Sequence, residues 1–341
     1  MSNISDRKDE HIDACLAAAV ESGHGSGFHA YRLAYRALPE IALDDVDLST
    51  VIAGKTLRAP LIIGAMTGGT PRAASLNRVL AKAAQASGVG FALGSGRIAL
   101  ESTEAASSFQ MRDVAPDALI FANLGAVQFN YGVTGAHAAH LVELLGADAL
   151  SLHLNPLQEA VQEGGDTDFS GLLDRMAAAL PEIPVPVFVK EVGAGIDAQS
   201  ARMLASLPIA GLETAGVGGT SWARVEAFRA ERRNARDAGF ALGALGVPTV
   251  VSLKACREVM GDRAVIASGG LRTAEEMALA LALGADAVAC ALPFLKAADQ
   301  GFDAVMALLD SLVHSLRIAH FVCGARTPMA LRGCLTREGD Q

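Results

Sequence analysis

The sequence predicts an α/β protein, a (β/α)8 TIM barrel behind an N-terminal helical extension, and three observations carry that expectation. Short β-rich runs alternate with longer Ala/Leu-rich helical segments along the 341 residues. No linker or low-complexity stretch divides the chain, which leaves residues 1–58 as an extension and 59–341 as a single barrel. Glycine is abundant, at 35 residues, while aromatics make up 5%, a balance suited to tight turns and small-residue contacts. In chain order, strands are expected at "APLIIGAM" (59–66), "VGFALGS" (89–95), "ALIFANLG" (118–125) and "ALSLHLN" (149–155). Four more follow at "VPVFVKEVG" (185–193), "IAGLETAG" (209–216), "RAVIASGG" (263–270) and "ADAVACAL" (285–292). Between them "SLNRVLAKAAQASG", "HAAHLVELLG", "LLDRMAAALPEI", "SARMLASL" and "AEEMALALALG" carry helical periodicity, several ending in Gly. Eight strands joined by helical crossovers form a parallel sheet, most simply closed as a barrel; an open, doubly wound sheet is the rival. The interval from Gly216 to Arg263 exceeds the needs of one helix, and "RRNARDAGFALGALG" within it reads as an excursion.

Composition excludes some functions. A net charge of −9 argues against nucleic acid as a partner, because a phosphate backbone attracts basic surfaces. An anionic substrate would therefore need a local basic cluster. Cys15, Cys256, Cys290, Cys323 and Cys334 are scattered, odd in number and lack CxxC spacing, as expected of reduced cytoplasmic thiols. The N-terminus "MSNISDRKDEHIDA" has no apolar signal core, and no run is read as approaching the roughly 18 apolar residues of a membrane span. A soluble cytoplasmic protein without a membrane partner is expected. The Leu-rich "AVMALLDSLVHSLRIAHF" and the long N-terminal segment suggest subunit contacts.

In such a barrel, chemistry sits at the C-terminal ends of the strands. These ends read "AMTGG", "GSGR", "ANLG", "HLNPLQE", "KEVG", "AGVGGTS", "SGGLR" and "ALPF". Nearly all carry Gly or a small polar residue, as a large flat ligand approached by backbone would require. Gly269–Gly270, just before a helix, and the "GVGGTS" turn with Thr220 can present backbone N–H groups to an anion. Tight turns alone would also explain these glycines. Together with Ala291 at the eighth end they match the usual barrel phosphate site. Lys190 ends the apolar strand "VPVFVK" and reads three ways: a Schiff-base nucleophile, a partner to an electronegative cofactor atom, or a snorkelling side chain. Asn123 ends the third strand and can bond a ring edge. A planar cofactor with one phosphate and no adenine site fits, and FMN is the economical choice.

In "LSLHLNPLQEAV", Leu150, Leu152 and Leu154 alternate with Ser151, His153 and Asn155, then Pro156 stops the pairing and Gln158 and Glu159 follow. Polar groups crowd this strand end without a ready nucleophile. Glu159 reads as a Mg²⁺ ligand or as a first-turn glutamate facing the helix dipole. Arg7 and Lys8 in "RKDEH" read as a solvated helix start or, near Arg97 and His153, as a diphosphate clamp.

Taken together, these motifs resemble the type 2, FMN-dependent isopentenyl diphosphate isomerase family, from "RKDEH" through "HLNPLQE", "VKEVG", "GVGGTSW" and "ASGGLR" to "ALPFL", residues 7–295. The resemblance implies a TIM barrel that holds FMN with Ala65, Met66, Thr67, Ser95, Asn123, Lys190, Thr220, Gly269, Gly270, Ala291 and Leu292. It implies substrate contacts from Arg7, Lys8, Arg97, His153, Asn155 and Gln158, Mg²⁺ on Glu159, and catalytic parts for Gln158 and His153. It further implies NADPH as reductant and a homotetramer or homo-octamer. Three positions depart from the family pattern: Ala215 replaces a usual serine, Gly96 a larger residue and Leu245 a common tryptophan. The implied reaction is a 1,3-allylic proton shift converting isopentenyl diphosphate to dimethylallyl diphosphate, which needs no Ser or Cys nucleophile. Two rivals remain. An FMN-dependent 2-hydroxy-acid oxidase would need a late catalytic His followed by Arg, and His314 and His320 instead fall in the terminal helix. A degenerate barrel serving as a scaffold has Ala215 as its support.

Overall fold

A computed structural model of the chain describes residues 4–17 and 20–337. Eight parallel strands close into a barrel: β4 (Leu61–Ile63), β5 (Gly90–Ala92), β6 (Ile120–Gly125), β7 (Ala149–His153), β8 (Val187–Lys190), β9 (Gly211–Glu213), β10 (Ala264–Ser268) and β11 (Ala287–Cys290). Each lies inside an expected run. Pairing of Val288 with Leu61 joins the last strand to the first and removes the open-sheet rival. Three short strands precede them, β1 (Tyr31–Leu33), β2 (Thr50–Ile52) and β3 (Lys55–Leu57), and β12 (Leu335–Arg337) follows.

The strands carry two apolar faces. Leu150 and Leu152 point outward into the core shared with the helices, while Ala149 points inward with Phe121, Phe188 and Ile266. The inside is tight: a Cβ on Gly211 would fall 2.4 Å from the Phe188 ring, which itself packs edge-on against Phe121 at 5.2 Å between centroids. The β2–β3 hairpin adds buried Ile52 and Leu57 to this inner cluster. Its turn takes positive φ at both Ala53 and Gly54, as a two-residue hairpin connection demands.

The helices are α1 (Ile4–Ala17), α2 (Pro71–Ser87), α3 (Arg97–Glu101), α4 (Thr103–Ser107), α5 (Gly135–Leu145), α6 (Pro156–Val161), α7 (Leu172–Ala179) and α8 (Ala198–Ala205). Then come α9 (Trp222–Arg229), α10 (Arg233–Leu242), α11 (Thr249–Met260), α12 (Ala274–Ala282), α13 (Leu292–Gln300), α14 (Phe302–Val322) and α15 (Pro328–Leu331). Three helices thus fill the long interval between β9 and β10, with α10 as the expected excursion. One expectation is corrected: α14, 21 residues long with an 18-residue stretch of mean hydropathy 1.4, is long and apolar enough to cross a membrane by length and composition. Its buried Val305, Leu309, Leu312 and Leu316 form a stripe, and it packs against α2, α12 and α13.

The N-terminal helix α1 packs on α2, α9 and α13 at the C-terminal mouth of the barrel. Polar ties hold it there: Thr70 Oγ1 donates to Asp9 at 2.7 Å, Arg72 to Asp13 at 2.6 Å and Arg229 to Glu10 at 2.7 Å. Asp9, Glu10 and Asp13 thus tether α1, while Glu10 and Asp13 remain exposed to solvent.

Candidate active site

Two adjoining cavities open at the C-terminal strand ends. Ala65, Met66, Lys190, Val192, His11 and Trp222 line both. Of the residues expected at a flavin, Ala65, Met66, Thr67, Lys190, Thr220, Gly269, Gly270, Ala291 and Leu292 line the first cavity. Ser95 and Asn123 line the second.

Glycine in the first cavity has a cause that sequence reading assigned to the ligand. The "GVGG" and "SGG" turns lie backbone on backbone: a Cβ on Gly269 would sit 2.2 Å from Gly216 O, and one on Gly270 2.4 Å from Gly218 O. Both residues also take positive φ, 102° and 74°. The N-terminal segment straps this pair of turns, with Ser22 N–H donating to Gly219 O and Ser221 N–H to Val20 O, both at 2.8 Å. A second adjustment concerns the anion site. The helix after Gly270, α12, is self-capped: Thr273 Oγ1 accepts from Glu276 N–H, and the Glu276 carboxylate accepts from the Arg272 and Thr273 N–H groups. The helix that starts at the cavity without a side-chain cap is α13, at Ala291 and Leu292. The residues fit a flavin phosphate and ring, because the buried Thr67 Oγ1 has no protein partner. An unmet buried hydroxyl costs roughly 1–3 kcal/mol unless a ligand takes it. Ala215, where the resemblance expects serine, lines the same cavity with φ 37°, left-handed for a residue with a Cβ.

Lys190 does not snorkel. It is buried where the cavities meet, its Nζ donating to Glu191 O at 2.7 Å and lying 3.4 Å from Glu213 Oε1. Ser268 Oγ also donates to Glu213, at 2.8 Å. The buried Glu191 carboxylate accepts the backbone N–H groups of Val192, Gly193 and Ala194 and so shapes the turn after β8. Burial raises the Glu191 carboxyl above its ordinary range against those hydrogen bonds.

The second cavity gathers Lys8, Arg97, His153, Asn155, Gln158 and Glu159. The side chain of Arg7 lies outside the described residues. Asn155 Nδ2 donates to Gln158 Oε1 at 3.2 Å and to Glu159 Oε1 at 2.8 Å, while its buried Oδ1 has no protein partner. His153 Nδ1 lies 2.7 Å from Asn123 Oδ1. Burial, with Lys190 and Lys8 adding repulsion, depresses the His153 pKa to about 3. The ring is therefore neutral with its proton on Nδ1, and Nε2 is an acceptor. Glu159 is buried and accepts from Asn155, from Gln162 Nε2 at 3.4 Å and from Asp166 N–H at 2.8 Å. Among the described residues no group of three His, Cys, Asp or Glu could hold a metal. Glu159 thus fits a Mg²⁺ that takes much of its coordination from substrate oxygens and water.

The structure adds residues that sequence reading did not assign. Glu226 on α9 accepts from Gln158 Nε2 at 2.9 Å, pairs with His11 Nε2 at 3.0 Å and accepts from Arg229 at 2.9 Å. Burial opposes its charge, yet His11, Gln158 and Arg229 hold its carboxyl down at about 2. Burial lowers the His11 pKa in spite of Glu226, so a neutral His11 donates to an ionised Glu226. Trp222 packs edge-on against His11 at 5.2 Å. Asp166 holds Arg97 at 2.7 Å and Gln128 at 2.9 Å. His11 was within reach of the sequence, three residues after Lys8 on one helix face. Glu226, which meets His11 across 215 residues, carried no local signal.

The fold defines the class, a (β/α)8 barrel, and the match to a flavoprotein family model supports FMN as its cofactor. The sequence model of the FMN-dependent dehydrogenase family matches residues 182–337, the half that builds the cradle. A mandelate oxidase variant with a monooxide FMN adduct aligns with TM-score 0.68 over 96% of this chain and 95% of that one, at 19% identity, which shows the shared fold. Sequence relatives are more specific. A protein of Synechococcus sp. named isopentenyl-diphosphate delta-isomerase is 47% identical over 98% of both chains. One of Stutzerimonas stutzeri with the same name is 45% identical over 97% of this chain and 96% of its own. The chain belongs to the isopentenyl-diphosphate delta-isomerase family and is an isomerase.

Proposed function

We propose that the protein converts isopentenyl diphosphate to dimethylallyl diphosphate by a 1,3-allylic proton shift with reduced FMN, in isoprenoid biosynthesis. The observation that carries this reading is the meeting of two unlike cavities at Ala65, Met66 and Lys190, one walled by glycine backbone and one by charged side chains. Bound and reduced, FMN supplies the proton donor and acceptor that an unactivated alkene needs. Ala65, Met66, Thr67, Lys190, Thr220, Gly269, Gly270, Ala291 and Leu292 would hold it, with Ser95 and Asn123 reaching from the second cavity. NADPH is the reductant in this reading, with no net redox change in the substrate. Arg7 and Lys8 from the extension (residues 1–58) join Arg97, His153, Asn155 and Gln158 of the barrel (59–341) at the diphosphate, and Glu159 gives Mg²⁺ its carboxylate.

Gln158 sits between Asn155 and ionised Glu226, so both ends of its amide are oriented. A neutral amide is a poor acid alone; ionised Glu226, accepting from its Nε2, makes the amide oxygen more basic and better able to hold a proton in transit. His153 needs a proton on Nε2 before it can donate to a phosphate oxygen. A bound diphosphate raises its pKa from about 3, because the anion offsets Lys190 and Lys8. Binding is therefore expected to take up protons, more so toward pH 6, measurable by calorimetry in buffers of different ionisation enthalpy; uptake of zero at every pH would leave His153 an acceptor.

Cytoplasmic location and a homotetramer or homo-octamer belong to the same reading, supported by the solvent-facing Phe228–Phe240 pair with Leu242 and Leu245. The test of function is an anaerobic assay on flavin-loaded protein. Conversion is expected only after NADPH has bleached the yellow colour; flavin-free protein working at full rate would overturn the proposal. The barrel likeness to mandelate oxidase favours 2-hydroxy-acid oxidation as the second reading. Among the described residues the histidines lining the cavities are His11 and His153, neither late in the chain as that chemistry requires.

A further inference from the structure

Among the described residues the charges lining the second cavity balance: Lys8, Arg97 and Lys190 stand against Glu101, Glu159 and Asp166. A site for a diphosphate should carry excess positive charge, so at least one carboxylate has to yield for the substrate to enter. Asp166 is distinguished by what it occupies. Its Oδ2 accepts from Arg97 Nη1 at 2.7 Å and from Gln128 Nε2 at 2.9 Å, two donors from different elements converging on one oxygen. This is the arrangement a phosphate oxygen would make. Its backbone N–H meanwhile donates to Glu159 Oε2 at 2.8 Å, anchoring the residue while leaving the carboxylate the exchangeable part. Glu101 touches Arg97 at 3.4 Å, a looser contact within one exposed helix.

We propose that Asp166 is a specificity-determining stand-in for a substrate phosphate oxygen. It holds Arg97 and Gln128 oriented in the empty site and hands both donors to the diphosphate on binding. Ligands that bring enough negative charge and a terminal oxygen to displace a carboxylate enter; ligands with a single negative charge do not. The inference rests on the reading that this cavity takes a diphosphate.

The experiment is calorimetric titration of the flavin-loaded enzyme with inorganic pyrophosphate, with and without Mg²⁺, at low ionic strength. Asp166→Asn, with Asp166→Ser as a second variant, is compared with wild type and with Glu101→Gln. Removing the competing charge should tighten pyrophosphate binding on the order of 5- to 10-fold in both Asp166 variants, with or without the metal. Glu101→Gln should tighten it by less than half that factor. Unchanged or weaker binding in the Asp166 variants overturns the proposal, and so does an equal gain in Glu101→Gln. Weakening seen only with Mg²⁺ would overturn it by making Asp166 a metal ligand. Wild-type enzyme that ignores pyrophosphate altogether would sink the diphosphate reading itself, an outcome distinct from these.

Discussion

The two halves of the mouth are built in opposite ways. Over β9, β10 and β11 the cradle is backbone: turns packed glycine to glycine and the uncapped start of α13. Over β6 and β7 the lining is charged side chains carried by α1, α3, α6 and the loop at Asp166. A backbone cradle is rigid, needs no counter-charge and suits a resident cofactor. A side-chain cage carries its own carboxylates, can exchange partners and suits a ligand that enters and leaves at every turnover.

The contrast can be broken first at the cradle. Gly269→Val forces a branched side chain against Gly216 O at a φ of 102°, and flavin affinity should fall on the order of 100-fold or more, read by fluorescence titration. Unaltered affinity would mean the turns are not a rigid cradle. On the cage side, Gln158→Asn should lower turnover by about 10²- to 10⁴-fold with flavin still bound. Near-normal turnover would remove Gln158 from the chemistry. Glu159→Gln should raise the Mg²⁺ concentration for half-maximal rate several-fold, since the ion would lose a carboxylate ligand; an unchanged metal titration would reject the assignment. The smallest effect is expected at Ala215→Gly. Relief of its positive φ should add up to about 1 kcal/mol, or roughly 2 °C in melting temperature. No gain would show that the greater freedom of glycine in the unfolded chain offsets the relief of strain.

The cradle was legible in sequence because its signal is local. Gly269–Gly270 and "GVGG" sit at strand ends, and the TxxE capping box Thr273–Glu276, which satisfies the start of α12, was also there to be read. The cage was legible only in part. Lys8, Arg97, His153 and Gln158 announced themselves by type and position, but the partners that set their states did not. Glu226 reaches His11 and Gln158 through the docking of α1 on α9, and no pattern in "WARVEAFR" foretells it. The near-membrane composition of α14 shows the converse, an apolar run whose role depends on which helices cover its stripe.

By itself the sequence determined the strands, the order of units and the residue types at each strand end, because alternation, glycine and proline act within a few residues. Only the tertiary structure decided protonation and pairing: a neutral His153, an ionised Glu226, an Arg97 held by Asp166. Burial and Coulomb interaction depend on distance through space, and closing the barrel brings side chains into contact across intervals the linear chain does not record.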